Sequence, residues 1–175
     1  MLRFIHITKT GGMSVQRTIG TKNPRCLMAD HKPFLKADLN RTTFAVVRDP
    51  YDRVKSLYNF YKYKRNVVKE DTFRDFVLNL DFYYAGKNIG HQYNTFWSCY
   101  DYLSLDGELK VNHVLRFENI AEEYHNFASK HKLPLELIHM NKNDKKEDGL
   151  KWDMEMIDVV QRLYDNDFKH FNYEK

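Results

Sequence analysis

Six consecutive residues, Lys9-Thr10-Gly11-Gly12-Met13-Ser14, carry a combination of groups suited to holding an anion. An apolar run with Phe4, Ile5 and Ile7 leads into them, and a helical pattern with Met13, Val15 and Ile19 as apolar members follows. Strand, glycine turn and helix together aim backbone N–H groups and a helix N-terminus at a bound anion. The paired glycines let the backbone approach a phosphate or sulfate where a Cβ would obstruct it. Lys9 adds a point charge, and Thr10 and Ser14 add hydroxyl donors. A tight turn that binds nothing is the competing reading of these residues alone. The stretch is not a Walker A loop, because its lysine precedes the glycines, and no acidic strand end suited to magnesium accompanies it.

A second strand–loop–helix pattern raises the weight of the first. Thr43–Val47 reads as a buried parallel strand that runs into Arg48-Asp49-Pro50. Asp49 as N-cap and Pro50 as first residue predict a helix over 51–64, with Val54, Leu57, Tyr58 and Tyr61 on its inner face. Arg48 at the strand end and Ser56 two turns into the helix can share one phosphate. Alternatively, Arg48 pairs with Asp52 or Glu118, Ser56 only packs, and Arg53 and Lys55 belong to a solvated face. Two such loops imply one ligand with two separated anionic ends.

The elements needed to position these loops are those of one α/β domain over residues 1–175. Cys26–Met28 reads as a short second strand, and Pro33 as the start of a short helix. Thr72 caps a helix carrying Phe73, Phe76, Val77 and Leu80. A short helix is expected near Gln92–Cys99, a turn at Asp106-Gly107, a strand over Val111–Phe117, and a helix from Ile120 to His131. Asn141–Gly149 reads as a polar surface loop, and Met154–Asn166 as a final helix with Ile157, Val160 and Tyr164 on one face. Composition is that of a globular protein: 42% hydrophobic, 15% aromatic and 30% charged. A net charge of +4 suits an anionic ligand and is too small to argue for nucleic acid. No apolar run reaches the roughly 20 residues of a membrane span, and no signal-peptide pattern precedes the first strand. With only Cys26 and Cys99 available, reduced buried thiols and a cytoplasmic setting are expected. No Cys/His cluster has metal-ligand spacing, so no metal is expected.

FIHITKTGGMS followed by TFAVVRDPYDRVKSLYNFY resembles the sulfotransferases that use 3′-phosphoadenosine 5′-phosphosulfate. The resemblance is to the carbohydrate branch typified by heparan sulfate 2-O- and chondroitin sulfotransferases. That branch carries a His-x-Pro-Lys-Thr-Gly-Gly-Thr-Ser loop and an Arg-Asn/Asp-Pro-x-x-Arg-x-x-Ser segment. The later LRFENI and LYDNDFKHFNY also look like family features. The resemblance implies a P-loop-NTPase-like three-layer fold with a mainly parallel central sheet flanked by helices. It implies that Lys9, Thr10, Gly11, Gly12, Met13 and Ser14 cradle the 5′-phosphosulfate and that Arg48 and Ser56 hold the 3′-phosphate. Two residues depart from the pattern: Thr8 replaces proline, and Met13 replaces a threonine and so removes a hydroxyl.

The chemistry then follows from charge. An acceptor hydroxyl loses a proton as it attacks sulfur, while negative charge grows on the leaving phosphate oxygen. Lys9 is assigned to that charge. His31, in the loop after the second strand, is assigned as general base, with a solvated surface histidine as the alternative. His6 reads as a core histidine. His91 is the reserve base or, with Gln92, an acceptor-binding residue. Arg116 is either a further cofactor contact or the partner of Glu118. The expected acceptor is a hydroxylated molecule, a carbohydrate by resemblance. The alternatives are a P-loop-type nucleotide kinase and a catalytically silent nucleotide- or glycan-binding protein of the same fold.

Overall fold

The computed structural model describes residues 1–20, 23–86, 95–138 and 150–175. The chain begins β1 (Leu2–His6), α1 (Gly12–Ile19), β2 (Cys26–Asp30), β3 (Thr42–Val47), α2 (Pro50–Asn59), α3 (Phe73–Leu78) and α4 (Leu80–Tyr84). It continues α5 (Cys99–Leu103), β4 (Ser104–Leu105), β5 (Glu108–Leu109), β6 (His113–Arg116), α6 (Ile120–His131), α7 (Met154–Leu163) and α8 (Asp165–Phe171). These elements group into two compact units, Met1–Arg48 with Cys99–Lys142 and Asp49–Ser98 with Asn143–Lys175.

The first unit is built on a four-stranded, all-parallel sheet in the order β2-β1-β3-β6, flanked by helices. Every residue of β1 is buried, as a parallel strand covered on both faces requires. On one face Leu2, Phe4, Phe44, Val46 and Leu115 pack under Val15 and Ile19 of α1 and Tyr124, Phe127 and Ala128 of α6. The other face of β1 carries Arg3, whose Nη1 lies 2.7 Å from Oδ1 of the fully buried Asp38. Asp38 closes a single 3₁₀ turn at Lys36–Asp38 and accepts from the Leu35 N–H at 2.9 Å. That turn replaces the helix expected from Pro33, because the carboxylate organises the backbone three residues before it. A hairpin joins β4 and β5, with Asp106 at φ 54° and Gly107 at φ 80°. Two positive φ values are what a two-residue hairpin turn of matching twist demands, which explains Asp-Gly there.

The strand order places β2 on one side of β1 and β3 on the other. The chain therefore reverses its direction of travel across the sheet between β1 and β3. In open parallel sheets such a reversal opens a crevice beyond the carboxyl ends of the two strands, and ligands bind there. The residues following those ends are Ile7–Gly12 and Arg48.

In the second unit, Asp49 Oδ1 accepts from the Asp52 N–H at 3.0 Å and Pro50 is the first residue of α2, as expected. Beyond Asn59 the helix widens into a π turn over Phe60–Lys64, where the Arg65 N–H reaches the Phe60 carbonyl at 3.1 Å. Thr72 caps α3 through the Asp75 N–H at 3.1 Å. Arg53 corrects the solvated-face reading: it is fully buried and donates to the carbonyls of Trp97 at 2.8 Å and Thr95 at 3.2 Å. The expected final helix divides at Tyr164 into α7 and α8. Among the described residues no helix is long and apolar enough to cross a membrane.

Candidate functional site

The loop leaving β1 is closed by its own side chains. The Thr10 hydroxyl, fully buried, donates to the Ile7 carbonyl at 3.0 Å. Its single proton is thus directed inward, and what Thr10 offers an anion is its backbone N–H. Lys9 has φ 65° and Gly11 φ 82°. The left-handed region costs a residue with a Cβ about 1–2 kcal/mol. His31, just after β2, has φ 49°. The other described non-glycine residues with positive φ are Asn66, Asp106, Lys132 and Asn172. Asp106 lies in the hairpin turn, Asn66 follows the π turn, and Lys132 and Asn172 cap helices. Lys9 and His31 are the two that sit at carboxyl ends of sheet strands, and strain of this kind gathers at functional sites.

The structure brings His31 against the end of β1 and the loop that leads to Lys9. Thr8 Oγ1 lies 3.0 Å from His31 Nδ1, and the His6 and His31 ring centroids are 4.5 Å apart. His6 is buried, as expected of a core histidine, and stacks on Phe4 with centroids 5.6 Å apart. Phe4 meets Phe44 at 5.0 Å, Phe44 meets Phe127 at 4.4 Å, and Phe127 meets His131 at 4.4 Å. His31 is therefore the end ring of a column that runs through the core of the first unit. Burial, with His113 and Lys130 nearby, holds the His131 imidazole below its ordinary value and keeps its neutral form in the column.

The glycines have a reason that sequence reading did not supply. A Cβ on Gly12 would stand 2.1 Å from His6 Cδ2, and a Cβ on Gly11 would stand 2.6 Å from Phe117 Cδ2. Both therefore make room for rings of this protein, whatever a ligand also requires. Phe117 in turn carries Arg48, whose guanidinium carbon is 4.6 Å from the ring centroid. Arg48 is 6% exposed, and its Nη1 approaches the Lys9 carbonyl at 3.5 Å. The Phe117 ring thus links the glycine loop after β1 to the arginine after β3. The quoted LRFENI contains Phe117, but nothing in its spacing announces that link.

Gly11→Ala should cost about 2–3 kcal/mol, from the left-handed φ together with the clash. Urea unfolding of Gly11→Ala, Phe117→Ala and the double variant checks this. The double variant should recover the clash component and keep the backbone component.

Arg116 is held through its backbone N–H, which donates to Glu123 Oε2 at 2.7 Å. Its Nε lies 3.9 Å from Glu118 Oε2, an ion pair too long for a hydrogen bond. Met13, an apolar member of the helical pattern, is 40% exposed, and the buried residues of α1 are Gly12, Ser14, Val15, Thr18 and Ile19. No acidic residue occupies the first turn of α1, which leaves its N-terminus hospitable to an anion. Ser56 belongs to the second unit, where it is buried in α2. His91, Gln92 and the loop Asn141–Gly149 lie outside the described residues. Of the helix expected near Gln92–Cys99, residues 92–94 lie outside the described residues and 95–98 are not helical; the helix there is α5, which begins at Cys99.

Cys26 and Cys99 are free and buried. Burial pushes the Cys26 thiol up to about 11, so it is protonated at neutral pH and no nucleophile. Among the described residues no group of His, Cys, Asp or Glu is placed to hold a metal ion. No family model matches the chain, and no curated protein or solved structure matches it either.

Proposed function

We propose that this protein is a sulfotransferase that moves the sulfonate group of 3′-phosphoadenosine 5′-phosphosulfate to a hydroxyl acceptor, a carbohydrate by resemblance, on a P-loop-NTPase-like three-layer fold. The observation that carries the reading is the convergence at the β1/β3 reversal of the strained Lys9 loop, the acid-free N-terminus of α1 and the buried Arg48. Cationic and N–H donors of this kind fit a phosphosulfate, and the glycines keep the loop beside His6 and Phe117.

When bound, the cofactor supplies an activated sulfonate on a phosphate leaving group. Lys9 and the first-turn N–H groups of α1 stabilise negative charge that grows during transfer. Arg48 and Arg116 bind phosphate. His31 accepts the proton of the acceptor hydroxyl. Gly11, Gly12 and Met13 contribute backbone N–H groups, as does Thr10, while Ser14, whose N–H donates to the Gly11 carbonyl at 3.0 Å, contributes its hydroxyl.

A catalytically silent binding protein of the same fold is the second reading. The inward-turned Thr10 hydroxyl and the exposed thioether of Met13 favour it, because each removes a donor from the loop.

Thermal unfolding with 3′-phosphoadenosine 5′-phosphate, set against ATP with magnesium, tests the site. At a hundred times its Kd the adenosine bisphosphate should add about 2.7 kcal/mol, a rise of several degrees in Tm. Stabilisation by ATP–magnesium with none from the bisphosphate would overturn both readings. Binding without transfer of labelled sulfate to any of a panel of glycans and small alcohols would select the silent one.

A further inference from the structure

We propose that Thr8 is a positioning residue for His31: its hydroxyl oxygen accepts from Nδ1–H and fixes the tautomer in which Nε2 takes the acceptor proton. The inference rests on the reading of His31 as general base. It starts from the 3.0 Å contact between Thr8 Oγ1 and His31 Nδ1. The resemblance pattern has proline at position 8, so this hydroxyl is a feature of this chain.

A hydroxyl can meet a neutral imidazole as donor or as acceptor. Only the accepting arrangement survives when the ring becomes imidazolium, because both ring nitrogens then carry protons. A Thr8 hydroxyl that donated to Nδ1 would leave the proton on Nε2, and the base could act only after both groups reorganised. The surroundings hold the ring in place against Thr8. His31 is held at φ 49°, its ring lies 4.5 Å from that of the buried His6, and Thr8 is itself buried.

The acceptor oxygen forms the new S–O bond, and the bridging S–O bond to phosphate breaks. The hydroxyl proton passes to His31 Nε2. Nδ1–H keeps its bond to Thr8 throughout, and the imidazolium then releases its proton to solvent.

Nitrogen-15 NMR of His31 in the ligand-free protein, at a pH where the ring is neutral, reads the tautomer directly. The unsubstituted chain should show Nδ1 protonated. Thr8→Val, which keeps the shape and removes the acceptor, should shift the population toward Nε2–H. Thr8→Ser should restore it. Sulfate transfer at saturating cofactor and acceptor should fall about tenfold in Thr8→Val and return in Thr8→Ser, with cofactor affinity unchanged. Nε2–H as the dominant tautomer of the unsubstituted chain would overturn the proposal without any variant. So would an unchanged tautomer in Thr8→Val. If the tautomer responds as expected but the unsubstituted chain transfers no sulfate, the Thr8 bond stands, and the base role falls together with the sulfotransferase reading.

Discussion

Lys9→Ala loses at least about a hundredfold in sulfate transfer, the effect of removing a charge that acts on the transition state. The backbone makes this variant a clean probe. The Lys9 carbonyl that receives Arg48 Nη1 is unaffected by the side chain, and alanine keeps the Cβ that the left-handed φ of 65° penalises. Lys9→Ala should therefore match the unsubstituted chain closely in urea unfolding while losing activity. Lys9→Gly removes the same charge but also the Cβ, so it should be more stable than Lys9→Ala by about 1 kcal/mol and equally inactive. Steady-state transfer from labelled cofactor, paired with denaturation of both variants, separates charge from strain. Turnover retained in Lys9→Ala would remove the electrostatic role and with it the main support for catalysis at this loop.

The largest effect on stability is expected at Asp38. Its carboxylate has no exposed surface and accepts from Arg3 at 2.7 Å, Arg41 at 3.2 Å and the Leu35 N–H at 2.9 Å. Asp38→Ala removes the counter-charge of Arg3, which is itself buried in β1, the strand at the middle of the site. Deleting one member of a buried pair costs about 3–5 kcal/mol, much of it for the charge left behind. Replacing both by apolar residues of similar volume costs far less, because no charge then needs a partner. Urea unfolding of Asp38→Ala, Arg3→Met and the double variant Arg3→Met with Asp38→Leu tests this. A double variant as unstable as Asp38→Ala would show that packing, not the buried charge, governs the effect.

Much of the frame was legible because it depends on local chemistry. Asp49-Pro50 announces α2, Thr72 announces α3, Asp106-Gly107 announces a turn, and the apolar run before Arg48 announces a parallel strand. Features that depend on distant partners were not legible. Arg53 looks like one more charge on an amphipathic helix until the carbonyls of Thr95 and Trp97 are brought to it. The break at Tyr164 follows from tertiary placement: its ring is buried and its hydroxyl donates to the Phe96 carbonyl at 2.8 Å. In the candidate site, residue types marked Lys9, Arg48 and His31. The reasons for the glycines, and the parts taken by Thr8 and Phe117, required the sheet that brings four strand ends together.

That sheet is also unequally supported. Lys9 and Arg48 follow strands with a neighbour on each side, whereas β2, which delivers His31, and β6, which carries Arg116, are the two edges of the sheet. Transient opening of a folded domain begins where backbone pairing is thinnest. The anion-binding pair Lys9 and Arg48 can therefore outlast the group that would accept a proton: an excursion that peels β2 away leaves a protein still able to hold an anion but with its base out of reach.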